Sequence, residues 1–141
     1  MDDLTILNEI HKGVTMGMDS IEKLSQKCSD EELKDDLSYQ YNEYVQTLDR
    51  VNAKFQDAGH IPDDTPMGQK IMGWTGLQFN TMNDTSSSNL SEILIQGYDM
   101  GIIKGVRLLN QNPQASNDVK DILNGFISLQ ENNINRLKKF L

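Results

Sequence analysis

Cysteine, histidine and positive charge are all scarce in this 141-residue chain, and each scarcity excludes something. One cysteine, Cys28, rules out an internal disulfide and fits a reducing cytoplasm, where it is expected to be an inert thiol near a helix end. Two histidines, His11 and His60, are too few for a histidine-based metal centre, and no serine or cysteine stands at a spacing that pairs with His11 as a nucleophile. His11 is expected to be partly buried and satisfied, and His60, next to Gly59, to face solvent. Thirteen basic residues against 21 acidic ones leave a formal charge of −8 and a pI near 4.6. Such a surface repels phosphate backbones and anionic lipid, so neither nucleic acid nor membrane is an expected partner. The opening Met1-Asp2-Asp3-Leu4 has neither the basic start nor the apolar run of a signal peptide, which again points to the cytoplasm. At this length the expectation is one domain spanning 1–141.

What the chain does have is a repeat. Gly13-Val14-Thr15-Met16-Gly17 returns as Gly97-Tyr98-Asp99-Met100-Gly101, and Lys23-Leu24 as Arg107-Leu108. After a slightly longer loop, Leu33-Lys34-Asp35-Asp36-Leu37 returns as Val119-Lys120-Asp121-Ile122-Leu123. Leu48, Arg50 and Val51 match Ile134, Arg136 and Leu137. Both copies have helical periodicity, so the unit is an αα-hairpin used twice. Neither hairpin can bury its apolar face alone, and the two together make an all-α four-helix bundle.

The first helix is expected from about Leu4 to Gln26, with an apolar stripe of Leu7, Ile10, Val14, Gly17, Ile21 and Leu24. Ser29-x-x-Glu32 reads as a capping box that opens the second helix, whose stripe is Leu33, Leu37, Tyr41, Tyr44, Leu48, Val51 and Phe55. Gly59 can supply a left-handed residue after that helix, and Pro62 prevents its resumption. Thr65 and Pro66 begin a short helix with Met67, Ile71, Trp74 and Leu77 on its apolar side. A polar loop over residues 80–89 precedes a third helix, which starts at Asn89 or Leu90 with Glu92 answering its cap and ends before Pro113. Ser116 caps the fourth, whose last turn holds Lys138 and Lys139 where the helix dipole favours cations. Short loops make each pair antiparallel. The roughly thirty residues between the pairs can run the whole length of a bundle.

Two related hairpins, one long crossover with a short helix, and the Gly73-Trp74 pair inside it resemble the ferritin-like superfamily. The resemblance covers the whole chain and lies nearest a bacterial group of ferritin-like four-helix-bundle proteins of about this length. It implies a dinuclear iron or manganese centre held by one Glu on each of two helices and a Glu-x-x-His on each of the others. The sequence departs from that pattern at every ligand. The corresponding segments read Glu43-x-x-Gln46 and Glu131-x-x-Ile134, which leaves Glu43 and Glu131 as the weak metal candidates. By helical phase, Glu9, Asp19, Glu92, Asp99 and Glu131 project away from the core, and Glu43 flanks it. No carboxylate is expected to point inward, and a dimetal site needs several. Gln40, Tyr41, Tyr44, Thr47, Gln130 and Asn133 face the centre instead. They are expected to hydrogen-bond to one another, or to line a small-ligand pocket around Tyr41, Tyr44 and Asn133.

Glycines add a further expectation. Gly97, Gly101 and Gly105 fall four apart on the third helix, as Gly13 and Gly17 do on the first. Each interior glycine costs about 1 kcal/mol against alanine, so close contact between these two helices is expected to offset it. The third helix is apolar almost all round, yet Glu92, Asp99, Lys104 and Arg107 exclude a membrane span. Ile95, Ile102, Ile103, Val106 and Leu109, with Trp74 nearby, are the expected interface of a homo-oligomer, most simply a homodimer. The functional reading is a non-catalytic bundle that self-associates or binds a protein partner. It has no assigned catalytic residue and no cofactor. A ferritin-type metal or redox protein and a small-molecule-binding bundle are the alternatives.

Overall fold

The computed structural model describes residues 2–63 and 82–141. Four helices pack round one apolar core: α1 (Asp2–Lys27), α2 (Glu31–Asp57), α3 (Ser87–Gln111) and α4 (Asn117–Leu137), followed by a 3₁₀ turn at Lys138–Phe140. The helix expected from Thr65 and Pro66, with Trp74 and Leu77, lies outside the described residues.

Helix ends follow from local chemistry. The N-cap of α2 is Asp30, not Ser29: its Oδ1 accepts from the backbone N–H of Glu32 at 2.9 Å and of Leu33 at 3.2 Å. An aspartate at this position satisfies two orphan donors and adds negative charge at the positive end of the helix dipole. Gly59, at φ +69°, ends α2 in the left-handed region as expected. The third helix begins earlier than its sequence suggests. Ser86 caps it by accepting from the Asn89 N–H at 3.2 Å, while Glu92 is exposed beside Gln96. Ser116 caps α4 through the Val119 N–H at 3.3 Å.

Contacts at the two ends fix the direction of every helix. At one end the Ser116 N–H donates to Asp3 Oδ1 at 2.7 Å, and Lys54 Nζ donates to Asp118 Oδ2 at 2.9 Å. The starts of α1 and α4 therefore meet the end of α2. At the other end Ser87 Oγ donates to Asp30 Oδ2 at 3.0 Å, and Lys139 Nζ to Glu32 Oε1 at 2.8 Å. That brings the starts of α2 and α3 to the end of α4. Helices α2 and α3 are thus parallel, and the chain must travel the length of α2, about 40 Å, to join them. Asp63, whose N–H donates to Asn8 Oδ1 at 2.8 Å, sets off from the first end. This is the single-crossover connection of ferritin-like bundles. Around the bundle, α1 lies beside α2 and α3, and α4 beside α3 and α2.

The glycines do not place α1 and α3 ridge against ridge. Four of them, Gly13, Gly17, Gly101 and Gly105, make room for a side chain from a neighbouring helix. A Cβ on Gly17 would sit 2.6 Å from the Tyr44 ring, one on Gly13 3.0 Å from Phe126, and one on Gly105 2.8 Å from Ile127. On Gly101 it would overlap the Gln130 amide. Aligned on Leu33 and Val119, Gln130 is the second hairpin's counterpart of Tyr44, as Gly101 is of Gly17. The repeat therefore encodes one packing device twice: a large side chain on the second helix of each hairpin fills a glycine notch on the first.

Gly101→Leu is expected to lower the melting temperature despite its better helix propensity. It drives the buried Gln130 from its place, and overpacking of this kind costs about 1–3 kcal/mol. Thermal unfolding followed by circular dichroism checks it; an unchanged or higher midpoint would contradict the notch.

Candidate functional site

Two features occupy the middle of the bundle: a buried hydrogen-bonded network, and a cleft between α1 and α3.

The network starts from Asp36, one turn before Gln40 on the inward face of α2. Asp36 is only 8% exposed, where no inward carboxylate was expected. Its Oδ1 accepts from Gln40 Nε2, one turn on, and from Arg136 Nε on α4, both at 2.9 Å. Arg136 comes from the far hairpin, so the residue that stabilises this buried charge lies 100 positions away in sequence. Gln40 Oε1 in turn accepts from the Tyr98 hydroxyl at 2.6 Å, and Asn133 Nδ2 donates to that hydroxyl at 3.4 Å. The rings of Tyr98 and Tyr44 stack at 6.2 Å. Burial, before any other influence, raises the pKa of both phenols, so they remain neutral donors.

Of the six central polar residues expected from sequence, Gln40, Tyr44, Thr47, Gln130 and Asn133 are buried. Gln40 and Asn133 belong to the network. Thr47 donates to the Glu43 carbonyl at 3.2 Å and Gln130 Nε2 to that of Phe126 at 3.3 Å. Tyr41 is half-buried at the edge of the core. Tyr98, which joins the two sides, and Asp36 complete the group. The sequence offered one clue to Tyr98, its place between two glycines that mark the helix-packing face.

The carboxylates sort into three environments. Glu131, Glu92 and Asp99 are exposed, as helical phase predicts. Glu9 and Asp19 do not project freely: their side chains are 21% and 13% exposed, because α1 is covered on two sides and its buried face exceeds the apolar stripe. Glu9 is held by Lys104 at 2.5 Å and Lys12 at 3.5 Å, whose charges and hydrogen bonds outweigh desolvation and lower its pKa. Glu43 is half-buried. Desolvation, the largest influence, raises its pKa against the attraction of Arg136. Among the described residues no three His, Cys, Asp or Glu side chains gather where they could hold a metal ion. Where a dinuclear centre needs several converging carboxylates, the middle of this bundle carries amides, phenols, Asp36 already bound to arginine, and the half-buried Glu43. Those residues do not fit the centre that the fold implies. His11 packs edge-on to Phe55 at 6.4 Å, and His60 is exposed. Cys28 is buried, with its Sγ 3.5 Å from the Asp30 carbonyl oxygen.

The second feature lies elsewhere than the pocket expected around Tyr41, Tyr44 and Asn133. Where the glycines hold side chains of α2 and α4 rather than each other, α1 and α3 leave a cleft of about 450 Å³. Its walls include Gly13, Gly17, Gly97, Gly101 and Gly105, and its floor Tyr44, Tyr98, Phe126 and Gln130; neither Tyr41 nor Asn133 borders it.

The expected interface divides. Ile103 and Val106 are exposed at 57% and 43%, joined by Met100 at 51%, while Ile95, Ile102 and Leu109 pack at the margin of the core. Trp74 lies outside the described residues.

The fold is ferritin-like. The bacterioferritin-related protein of Bacteroides fragilis, a dodecameric thioferritin, superposes with a TM-score of 0.78 at 9% sequence identity, covering 98% of this chain and 83% of that one. No protein-family model matches the sequence, nor does any curated protein. No helix among the described residues is long and apolar enough to cross a membrane.

A carboxyl whose pKa is raised by folding destabilises the fold above its unfolded value, and the penalty fades as pH falls and the group protonates. Glu43→Gln is therefore expected to raise the melting temperature at about pH 7, with the gain shrinking towards about pH 4. Thermal melts of both proteins across that range check the sign; a gain that persists unchanged at low pH would mean the charge is not its source.

Proposed function

We propose that this chain is a cytoplasmic, non-catalytic ferritin-like bundle that works as a homo-oligomer without a dinuclear metal centre. The observation that carries the reading is the exposed stripe of Met100, Ile103 and Val106 on α3. Positions spaced by three share one side of a helix, so these residues form a single apolar strip. The half-buried Ile102 and Leu109 extend it to the core margin. Exposed apolar patches on otherwise charged surfaces mark contact sites. Lys104 and Arg107 stand on the same stretch of α3, so the strip lies where the net charge of −8 repels a second copy least. The dodecameric state of the structurally similar protein supports assembly as a use of this fold, although the two share only 9% identity.

The amide and phenol composition of the core supports a structural rather than a redox use of the bundle centre. Each neutral side chain there needs only hydrogen bonds, whereas a metal pair needs negative charge brought into a dry interior.

Light scattering over a concentration series at moderate salt tests assembly. The expected mass is at least twice 16.0 kDa. Ile103→Glu combined with Val106→Glu is expected to return it to the monomer with its helical spectrum intact. A monomeric mass at the highest concentration would refute the oligomer.

Elemental analysis of untagged protein purified without chelator tests the core. Far less than one iron, manganese or zinc per chain is expected. About two per chain, lost on replacing Glu43 or Glu131, would reverse the reading.

A further inference from the structure

The cleft between α1 and α3 is long as well as open. Its lining runs from Glu9 to Leu24 on α1 and from Ile93 to Leu108 on α3. Each stretch covers about 22 Å at the rise of an α-helix. A volume of about 450 Å³ along that length makes an elongated cleft in the size range of small-molecule sites.

The channel is chemically graded. Lys104 pairs with Glu9, so α1 and α3 run antiparallel with these residues at one level. Lys12, Gly101 and Gln130 stand within a turn of it. From Gly13 onward the lining turns apolar, through Met16, Gly17, Tyr44 and Tyr98 to Ile93, Leu94 and Leu24. Of the polar groups along this part, the Ser20 hydroxyl donates to the Met16 carbonyl and the Tyr98 hydroxyl to Gln40. That apolar part is about 16 Å long.

Two observations at the polar end specify a head group. The first is charge. In a chain of net charge −8, the charged side chains lining the cleft and its adjoining surface hollow are Lys12, Lys104 and Arg107 against Glu9 alone, among the described residues. The second is an unmet acceptor. Gln130 is 3% exposed and lines the cleft against Gly101. Its Nε2 is used by the Phe126 carbonyl, but among the described residues its Oε1 accepts no hydrogen bond. An amide oxygen on the cleft wall that takes no donor from the protein can accept one from a ligand.

We infer that the α1–α3 cleft binds a single-chain acyl amphiphile with an anionic head that also carries an N–H or O–H donor, the class represented by N-acyl amino acids. The tail lies along the glycine-walled channel towards Leu24. The donor meets Gln130 Oε1, and the carboxylate sits against Lys12 and Lys104. The tail lies beside the glycines, whose notches take side chains from α2 and α4 and so keep α1 and α3 apart.

Calorimetric titration of the full chain with N-lauroylglycine, lauric acid and dodecyltrimethylammonium, each kept below its micelle-forming concentration, tests this. The expected result is saturable binding of N-lauroylglycine at one per chain, weaker binding of lauric acid, and binding of the cation at least tenfold weaker. Lys12→Glu, a change at the half-exposed rim, is expected to weaken both acids about tenfold. Gln130→Met is expected to abolish the advantage of N-lauroylglycine over lauric acid. Met16→Trp is expected to block all binding by filling the channel. Met100→Trp, at the exposed mouth, is a second block that leaves the core untouched if the first fails to fold. Absence of saturable binding by either acid would overturn the proposal. So would equal affinity for the cation, or binding that survives the blocking variants.

Discussion

A glycine notch filled by the partner helix is the constraint from which most of this structure follows. Tyr44 occupies the space at Gly17, and its counterpart Gln130 the space at Gly101. Each contact fixes the height of one helix against its neighbour to within a side chain, because an aromatic ring or a buried amide fits at only one level. Once Tyr44 is seated, its ring stacks on Tyr98, and Tyr98 delivers its hydroxyl to Gln40. Packing and hydrogen bonding therefore set the same position for Tyr98. The same notches keep α1 and α3 from closing on each other, since the side chains that enter them come from α2 and α4. Space remains between the glycine-bearing helices, and the cleft is the geometric complement of the packing device.

The polar centre can be understood as a substitute for charge. A bundle this wide must fill its middle layer, and neutral donors and acceptors fill it without the desolvation cost of unpaired ions. Asp36 is the exception, and it is tolerated because Arg136 and Gln40 both bind one of its oxygens. The two hairpins differ here although they share a pattern of spacing. The counterparts of Asp36 and Gln40 in the second hairpin are Ile122 and Phe126, both buried and apolar. One hairpin thus carries most of the network and the other answers it with Tyr98, Asn133 and Arg136. An exact repeat would have placed two buried carboxylates at the centre, and their repulsion would have required a cation to hold them.

The helices, their pairing and the crossover were legible because each depends on local spacing: apolar residues every three or four positions, Gly59 after α2, Ser116 before α4. Boundaries shifted where neighbouring residues could do the same work, as with Ser29 and Asp30, or Ser86 among the serines that follow. The buried carboxylate was legible in direction, since Asp36 shares a face with Leu33 and Gln40, but not in its pairing. A phase diagram shows which way Asp36 points relative to leucines on its own helix, but not that Arg136 waits across the bundle. Glu9 was misplaced for a related reason. Its burial comes from α3, and one helix's apolar stripe does not reveal how many neighbours it has. The glycines were identified as packing residues, yet glycine records only that something approaches, and two helices flank each notch. Whether a notch admits a backbone or a side chain is decided by the facing residue, which a single repeat unit does not identify.

The third helix shows how one sequence property can have three outcomes. It is apolar nearly all round, and from sequence this reads as one wide interface. In the bundle its residues separate by direction. Leu90, Ile93, Leu94 and Tyr98 enter the core, with Ile93, Leu94 and Tyr98 also bordering the cleft. Ile95, Ile102 and Leu109 pack at the core margin, and Ile103 and Val106 reach solvent. Met100 borders both the cleft and the exposed strip. A flexible thioether suits such a boundary, since it can change rotamer at low cost as the occupancy of either side changes. Met100 shares that position with Lys104, Leu108 and Glu9, which also line both hollows, and Lys104 holds Glu9 across them.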